Sequence, residues 1–173
     1  MAFADEFVVV DRKQHDLKKF SCGKSEMDQF LARFAVKNMG LGLSRTWVLP
    51  VIGDGSEGAK VPIAAYYTLA SATVTREEIP TDKNLPGYPV PVVLLARLAV
   101  AETYKGKHLG EKTLITALRK AVELTHGGLP ALGLALDVLD EDALGFYQHF
   151  GIFKPFMDEP MRLFASMHML TQI

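Results

Sequence analysis

The chain has 173 residues, enough for one domain with a proper core, and its 49% hydrophobic and 23% charged content suits an ordinary globular protein. A net charge of −1 gives no global signal for nucleic acid, and no apolar run approaches the ~18–20 residues of a membrane span. Cys22 is the only cysteine, which excludes an internal disulfide and a cysteine-rich metal site and suits the cytosol.

The opening MAFADEFVVV has acidic residues and no basic stretch, so a secretory signal is not expected; Phe7 to Val10 reads as a first strand. Asp11 to Gly23 is polar, with a turn at Ser21-Cys22-Gly23. Ser25 with Asp28 approximates a capping box, and Met27, Phe30, Leu31 and Phe34 form an apolar helical stripe that Gly40-Leu41-Gly42 ends. Arg12 to Arg45 holds eight Lys/Arg against Asp16, Glu26 and Asp28: either a solvated helix face or a local basic surface for phosphates. Arg45 to Ile52 reads as a strand pushed toward a sheet edge by Pro50. Gly53 to Lys60 reads as a turn, and Ile63 to Val74 as the second arm of a hairpin. Trp47, Tyr66 and Tyr67 are expected in a core or interface. Arg76 to Pro91 is a proline-rich loop, functional or simply stiff.

Val92 to Val100 is an apolar, β-branched run broken only by Arg97, hence a buried strand. Ala101 to Lys107 is polar. Gly110 to His126 then carries Leu114, Leu118, Ala121 and Val122 on one helical face. A strand, a glycine turn and a helix start suit an anion, because the first helical amides lack backbone partners and the dipole is positive there. Ala131 to Leu139 reads as a strand. Asp140-Glu141-Asp142 opens a helix that Gly151 closes, and Met161 to Met169 reads as a last strand. The order β-α-β-β-β-α-β-α-β implies an α/β (α+β) mixed sheet flanked by helices, as a single domain over residues 1–173.

LARLAVAETYKGKHLGEKTL resembles the acetyl-CoA segment of the GNAT N-acetyltransferases, Gln/Arg-x-x-Gly-x-Gly/Ala. Gly110 matches; Lys105 stands for the usual Gln or Arg, and His108 for the first Gly. If that position needs a positive φ, histidine is strained there, though among the residues that tolerate it better. Its imidazole either occupies a phosphate's place or, protonated, helps to bind one. DEDALGFYQHFGIF resembles the family's later helix through Asp140, Ala143, Phe146, Tyr147 and Gly151. FSCGKSEMDQFLARFA, SRTWVL, AAYYTLASATV, YPVPVVLLARLAV and MRLFASM resemble one branch, the GNAT toxins of bacterial toxin–antitoxin pairs, over roughly Phe20 to Met167.

That resemblance implies a GNAT fold and acetyl transfer from acetyl-CoA to the α-amino group of the amino acid on charged tRNA, which blocks translation. It also implies neutralisation by a ribbon-helix-helix antitoxin, operator DNA reached only through that antitoxin, a homodimer and a cytoplasmic location. Residues carry over as follows. The backbone at Leu98, Ala99 and Val100 pairs with pantetheine and donates to the oxyanion. Lys105, Gly106, Lys107, His108, Leu109 and Gly110 hold the pyrophosphate, and Asp140 joins the cofactor-binding set. Tyr147 is the general acid for the CoA sulfur; without the resemblance it reads as a packed aromatic. Arg97, which interrupts an apolar strand, reads by itself as a buried ion pair and, through its match to an arginine of the toxin branch, as a contact to substrate or dimer partner. With it, Lys24, Arg33, Lys37 and Arg45 are the candidates for tRNA phosphates. No general base is evident; Glu102 and His149 read as surface residues, and His15, His126 and His168 are scattered, so no metal is expected. Two other functions stay open: acetylation of another amine (a protein N-terminus, lysine, polyamine or metabolite), and a catalytically impaired CoA-site binding protein.

Overall fold

The computed structural model describes residues 2–53 and 59–173. Most of the predicted turn at Gly53 to Lys60 therefore lies outside the described residues. The chain forms two compact units, Met1–Leu69 with Arg97–Ala117, and Ala70–Ala96 with Leu118–Ile173. Strands β5 (Val61–Val74) and β6 (Val90–Val100) and helix α3 (Leu109–His126) each run from one unit into the other. The fold is mixed α/β, an open multi-stranded sheet with flanking helices.

In the first unit, β4 (Arg45–Ile52) pairs antiparallel with β5, from Arg45↔Leu69 to Pro50↔Ile63. The hairpin is as expected, but β4 is not an edge. Its other side is covered by β1 (Ala2–Phe3) and β2 (Val8–Val9), through Phe3↔Val51 and Val9↔Trp47. Pro50 is accommodated because a register shift falls between Leu49 and Pro50, where its missing N–H costs no regular ladder bond. Its carbonyl still accepts from the Ala4 amide, at 2.8 Å. A further two-residue strand, β3 (His15–Asp16), runs parallel to the start of β5. β2 lies within the expected first strand, Phe7 to Val10, whereas pieces as short as β1 and β3 carry no periodicity and the sequence does not announce them.

The first helix differs from its expected form in two ways. Lys24, not Ser25, precedes α1 (Ser25–Gln29), and no side chain caps it. The Asp28 carboxylate accepts from the Cys22 amide instead, at 2.9 Å, so the acid braces the preceding turn rather than closing a capping box. Between α1 and α2 (Ala35–Gly40) the backbone is π-helical over Phe30–Phe34, and the Ala35 amide donates to the Phe30 carbonyl. That wider turn shifts the helix phase. Phe30 and Leu31 are buried as expected, but Phe34 is 45% exposed and Ala35 takes the interior place. Tyr66 lies in this core between Phe20 and Phe30, with ring centroids at 5.4 and 6.4 Å, and donates its hydroxyl to the Met27 carbonyl at 2.7 Å. Tyr67 stacks on Trp47 at 5.2 Å, so all three aromatics belong to the interior.

In the second unit, β7 (Gly133–Asp137) pairs parallel with β6 and antiparallel with β9 (Arg162–Ser166), which also pairs with β8 (Lys154–Pro155). The chain turns from β9 into α5 (Met167–Leu170), capped by the Ser166 hydroxyl, so the predicted last strand is shorter than its apolar run. The proline-rich loop is pinned. Glu78 accepts from the Thr75 amide and hydroxyl, its carbonyl accepts from the Met157 amide, and Ile79 and Leu85 pack with Val90, Phe156 and Phe164. No described helix is long and apolar enough to cross a membrane.

Candidate acetyl-CoA site

The β6–β7 register comprises Val93↔Leu134 and Leu94↔Ala135, while β6 itself continues to Val100. Leu98, Ala99 and Val100 thus lie on the stretch of β6 beyond that pairing. Ala99 is buried, and Leu98 and Val100 are half-buried. The next amide, of Ala101, donates to the Ala64 carbonyl at 2.8 Å. A 3₁₀ turn at Glu102–Tyr104 follows, anchored by Tyr104, which is buried and edge-on to Phe3 at 5.9 Å.

The predicted phosphate turn sits between this anchor and α3. Gly106 has φ 84°, and a β-carbon there would meet nothing within 4 Å, so the backbone is open to approach. His108 has φ 57°, the only positive φ at a non-glycine residue among the described ones. The position where the resembling pattern has glycine is therefore left-handed in this chain. Leu109 is buried and starts α3. The Lys112 amide donates to the His108 carbonyl, so the amides of Leu109, Gly110 and Glu111 precede the helical ladder and stand at the positive end of an 18-residue helix. This arrangement suits a diphosphate.

The cations near the turn have protein contacts. The Lys105 ammonium donates to the Cys22 carbonyl at 2.7 Å, joining residues 83 positions apart. The Glu102 amide donates to the Ser21 carbonyl at 2.9 Å. Gly23, at φ 89°, lies so close to Glu102 that a β-carbon would stand 2.7 Å from a carboxylate oxygen. Lys107 lies 5.7 Å from the Tyr104 ring and Lys112 5.6 Å from the Phe3 ring. This clasp between the Ser21–Gly23 turn and the phosphate turn escapes sequence reasoning, since nothing local in either segment names the other as partner. Cys22 within it is buried; desolvation foremost pushes its thiol up to about 11.

Arg97 is half-buried, its guanidinium 4.7 Å from the Phe30 ring centroid and 3.9 Å from the Glu26 carboxylate. The pair is not the buried one expected, since the Glu26 side chain is 61% exposed, and a cation–π contact accompanies it. Lys24, Arg33, Lys37 and Arg45 are all exposed, on the α1–α2 segment and the start of β4. Phe34, Leu41 and Leu43 in the same stretch are exposed too, an apolar component that the charge count alone did not reveal.

In the second unit, α4 (Glu141–Gln148) is capped by Asp140, whose carboxylate accepts from the Ala143 amide at 2.9 Å. Asp140 thus has a structural task at the head of the helix that carries Tyr147. Tyr147 is buried, edge-on to Phe146 at 5.2 Å and to Phe153 at 5.8 Å. Burial raises its phenol well above the usual tyrosine range, so the group carries its proton and has an O–H to donate. Glu102 and His149 are exposed, and no cluster of metal-ligating side chains occurs among the described residues.

The chain is similar to known proteins. Residues 69–152 match the model of the acetyltransferase (GNAT) family. A tRNA-acetylating toxin of Mycobacterium tuberculosis (strain ATCC 25618 / H37Rv) is 33% identical over 155 residues, covering 88% of this chain and 86% of the relative. Among solved structures, a tyrosine-to-phenylalanine mutant of KacT superposes with a TM-score of 0.81 at 25% identity, covering 91% of both chains. AtaT complexed with acetyl-methionyl-tRNAfMet superposes with a TM-score of 0.83 at 23% identity, covering 96% of this chain and 97% of AtaT. AtaT is also known as AtaTR bound with AcCoA and, as a mutant, bound to the C-terminus of the antitoxin AtaR. The chain belongs to the GNAT acetyltransferase family, in the branch of the tRNA-acetylating toxins.

Proposed function

We propose that this protein is a toxin that transfers acetyl from acetyl-CoA to the α-amino group of the amino acid on charged tRNA. The observation that carries the reading is the 33% identity to a tRNA-acetylating toxin over 88% of the chain. The phosphate turn at Gly106–Gly110 supports it independently, since a left-handed turn feeding a long helix suits the diphosphate of CoA.

The chemistry follows from the residues. Amides on Leu98–Val100 hold the pantetheine and donate to the thioester oxygen, most strongly once it bears negative charge. The neutral amine attacks the carbonyl carbon, and the tetrahedral intermediate collapses with cleavage of the C–S bond. Tyr147 gives its phenolic proton to the departing sulfur, which suits a phenol whose burial favours the protonated form. The surplus proton of the amine passes to solvent, and solvent returns a proton to the Tyr147 phenolate, which restores the acid. Exposed Lys24, Arg33, Lys37 and Arg45 offer charge to tRNA phosphates. An antitoxin of ribbon-helix-helix type neutralises the enzyme and carries the complex to operator DNA; the toxin itself is a cytoplasmic homodimer.

The test is transfer of labelled acetyl from acetyl-CoA into a pool of charged tRNA. Label that leaves with the amino acid on mild deacylation is the expected result. No label, with acetyl-CoA binding intact, would refute the tRNA substrate and direct attention to another amine.

A further inference from the structure

We propose that Phe34 is a nucleobase-stacking residue, whose exposed ring takes an unpaired base of the acceptor end of charged tRNA between the cations of Arg33 and Lys37. It rests on the charged-tRNA reading above and adds to the phosphate contacts a side chain that holds a base.

Four observations converge. First, the backbone sets the exposure of Phe34. In an uninterrupted α-helix the stripe of Met27, Phe30 and Leu31 would continue inward at Phe34. The π-helical turn over Phe30–Phe34 instead leaves the ring 45% exposed and gives its interior place to Ala35. Second, every other phenylalanine of the chain has an aromatic ring beside it, whereas Phe34 has none among the described residues. Third, the ring sits among cations. Arg33 precedes it, Lys37 lies one helical turn on along the same exposed row, and Arg45 follows α2. Among the described residues none of these three cations is held in an ion pair. Fourth, the sequence from Gln29 to Gly53 contains no Asp or Glu, so the charge of this segment is wholly positive. That charge selects an anionic partner, and a flat π-face between cations matches the alternation of base and phosphate along a single strand. A duplex hides its base faces in the stack, so the unpaired end is the part of tRNA that suits such a ring.

The experiment is filter binding of the full chain to a pool of charged tRNA, without acetyl-CoA. Wild type is compared with Phe34→Ala, Phe34→Leu and Phe34→Trp. Phe34→Ala should bind roughly tenfold more weakly, and Phe34→Leu, apolar but without a π-face, nearly as weakly. Phe34→Trp should match wild type within about twofold. The Leu and Trp variants keep bulk at this position, so their comparison stands even where Phe34→Ala loosens the helix. On tRNA stripped of its unpaired 3′ nucleotides, wild type and Phe34→Ala should bind equally. Equal affinity of wild type and Phe34→Ala for charged tRNA would overturn the proposal, and a lower sedimenting mass of that variant would then assign the ring to a contact between copies of the chain. Phe34→Leu at wild-type affinity would overturn stacking. A deficit that persists on the stripped tRNA would overturn the unpaired end as its target. Wild type that does not bind charged tRNA at all would overturn the tRNA substrate together with the proposal.

Discussion

Tyr147→Phe separates chemistry from folding at the residue assigned to protonate the leaving sulfur. Phenylalanine keeps the ring and therefore the edge-on contacts to Phe146 at 5.2 Å and Phe153 at 5.8 Å. Such pairs contribute about 0.5–1.5 kcal/mol each beyond area burial. Retaining both holds the stability change to about 1 kcal/mol, or about 2–4 °C in Tm for a chain of this size. Removing the proton donor should cost about 10²–10⁴ in kcat, equivalent to about 3–5 kcal/mol of barrier. Burial raises the phenol, so Tyr147 remains protonated across the ordinary assay range. The wild-type-to-variant ratio should accordingly be the same at pH ~7 and pH ~9. The assay is single-turnover acetyl transfer with saturating acetyl-CoA, alongside a thermal melt. A folded variant within about threefold of wild-type kcat, far inside the range expected for a lost general acid, would refute the role.

Gly133→Ala should destabilise by about 3 kcal/mol or more, because the new β-carbon runs into the Ala165 carbonyl and stands 2.7 Å from the Phe164 ring. Gly145→Ala, with nothing within 4 Å, should instead stabilise by about 0.5–1 kcal/mol; denaturant titration that found equal effects would refute the clash. Cys22, with its thiol near 11, should react with a maleimide at pH ~8 at least a hundredfold more slowly than a free cysteine and become reactive on unfolding; equal rates before and after would contradict its burial. His15 accepts from the Asp11 amide through Nδ1, and burial, outweighing Asp11, lowers its protonation in the folded state. Its unfolded form therefore binds the proton more readily, so this stability is present above pH ~6.5 and lost as pH falls below it. Denaturation midpoints at pH ~7 and ~5 should fall less in His15→Gln than in wild type, and identical slopes would exclude His15.

What the sequence determined lies in segments whose hydrogen bonds and packing periods are local. The β6–turn–α3 unit was legible because an apolar strand run, a turn with Gly106 and a 3.6-residue stripe through Leu114 and Leu118 occur within a few dozen positions. The start of α4 was legible too, since Asp140 bonds an amide only three residues on. Even the strain at His108 was readable as a condition, because a glycine position in the pattern constrains φ before any coordinates exist. The tertiary structure decided what depends on distant partners. It turned Lys105 to the Cys22 carbonyl and Asp28 to the Cys22 amide, and it gave the Tyr66 hydroxyl to the Met27 carbonyl. Likewise, a π-helical turn moved Ala35 inward and Phe34 outward, and Pro50 came to rest inside a covered strand. Propensity and periodicity act over a few residues, whereas a buried donor takes whichever acceptor the closed chain brings to it.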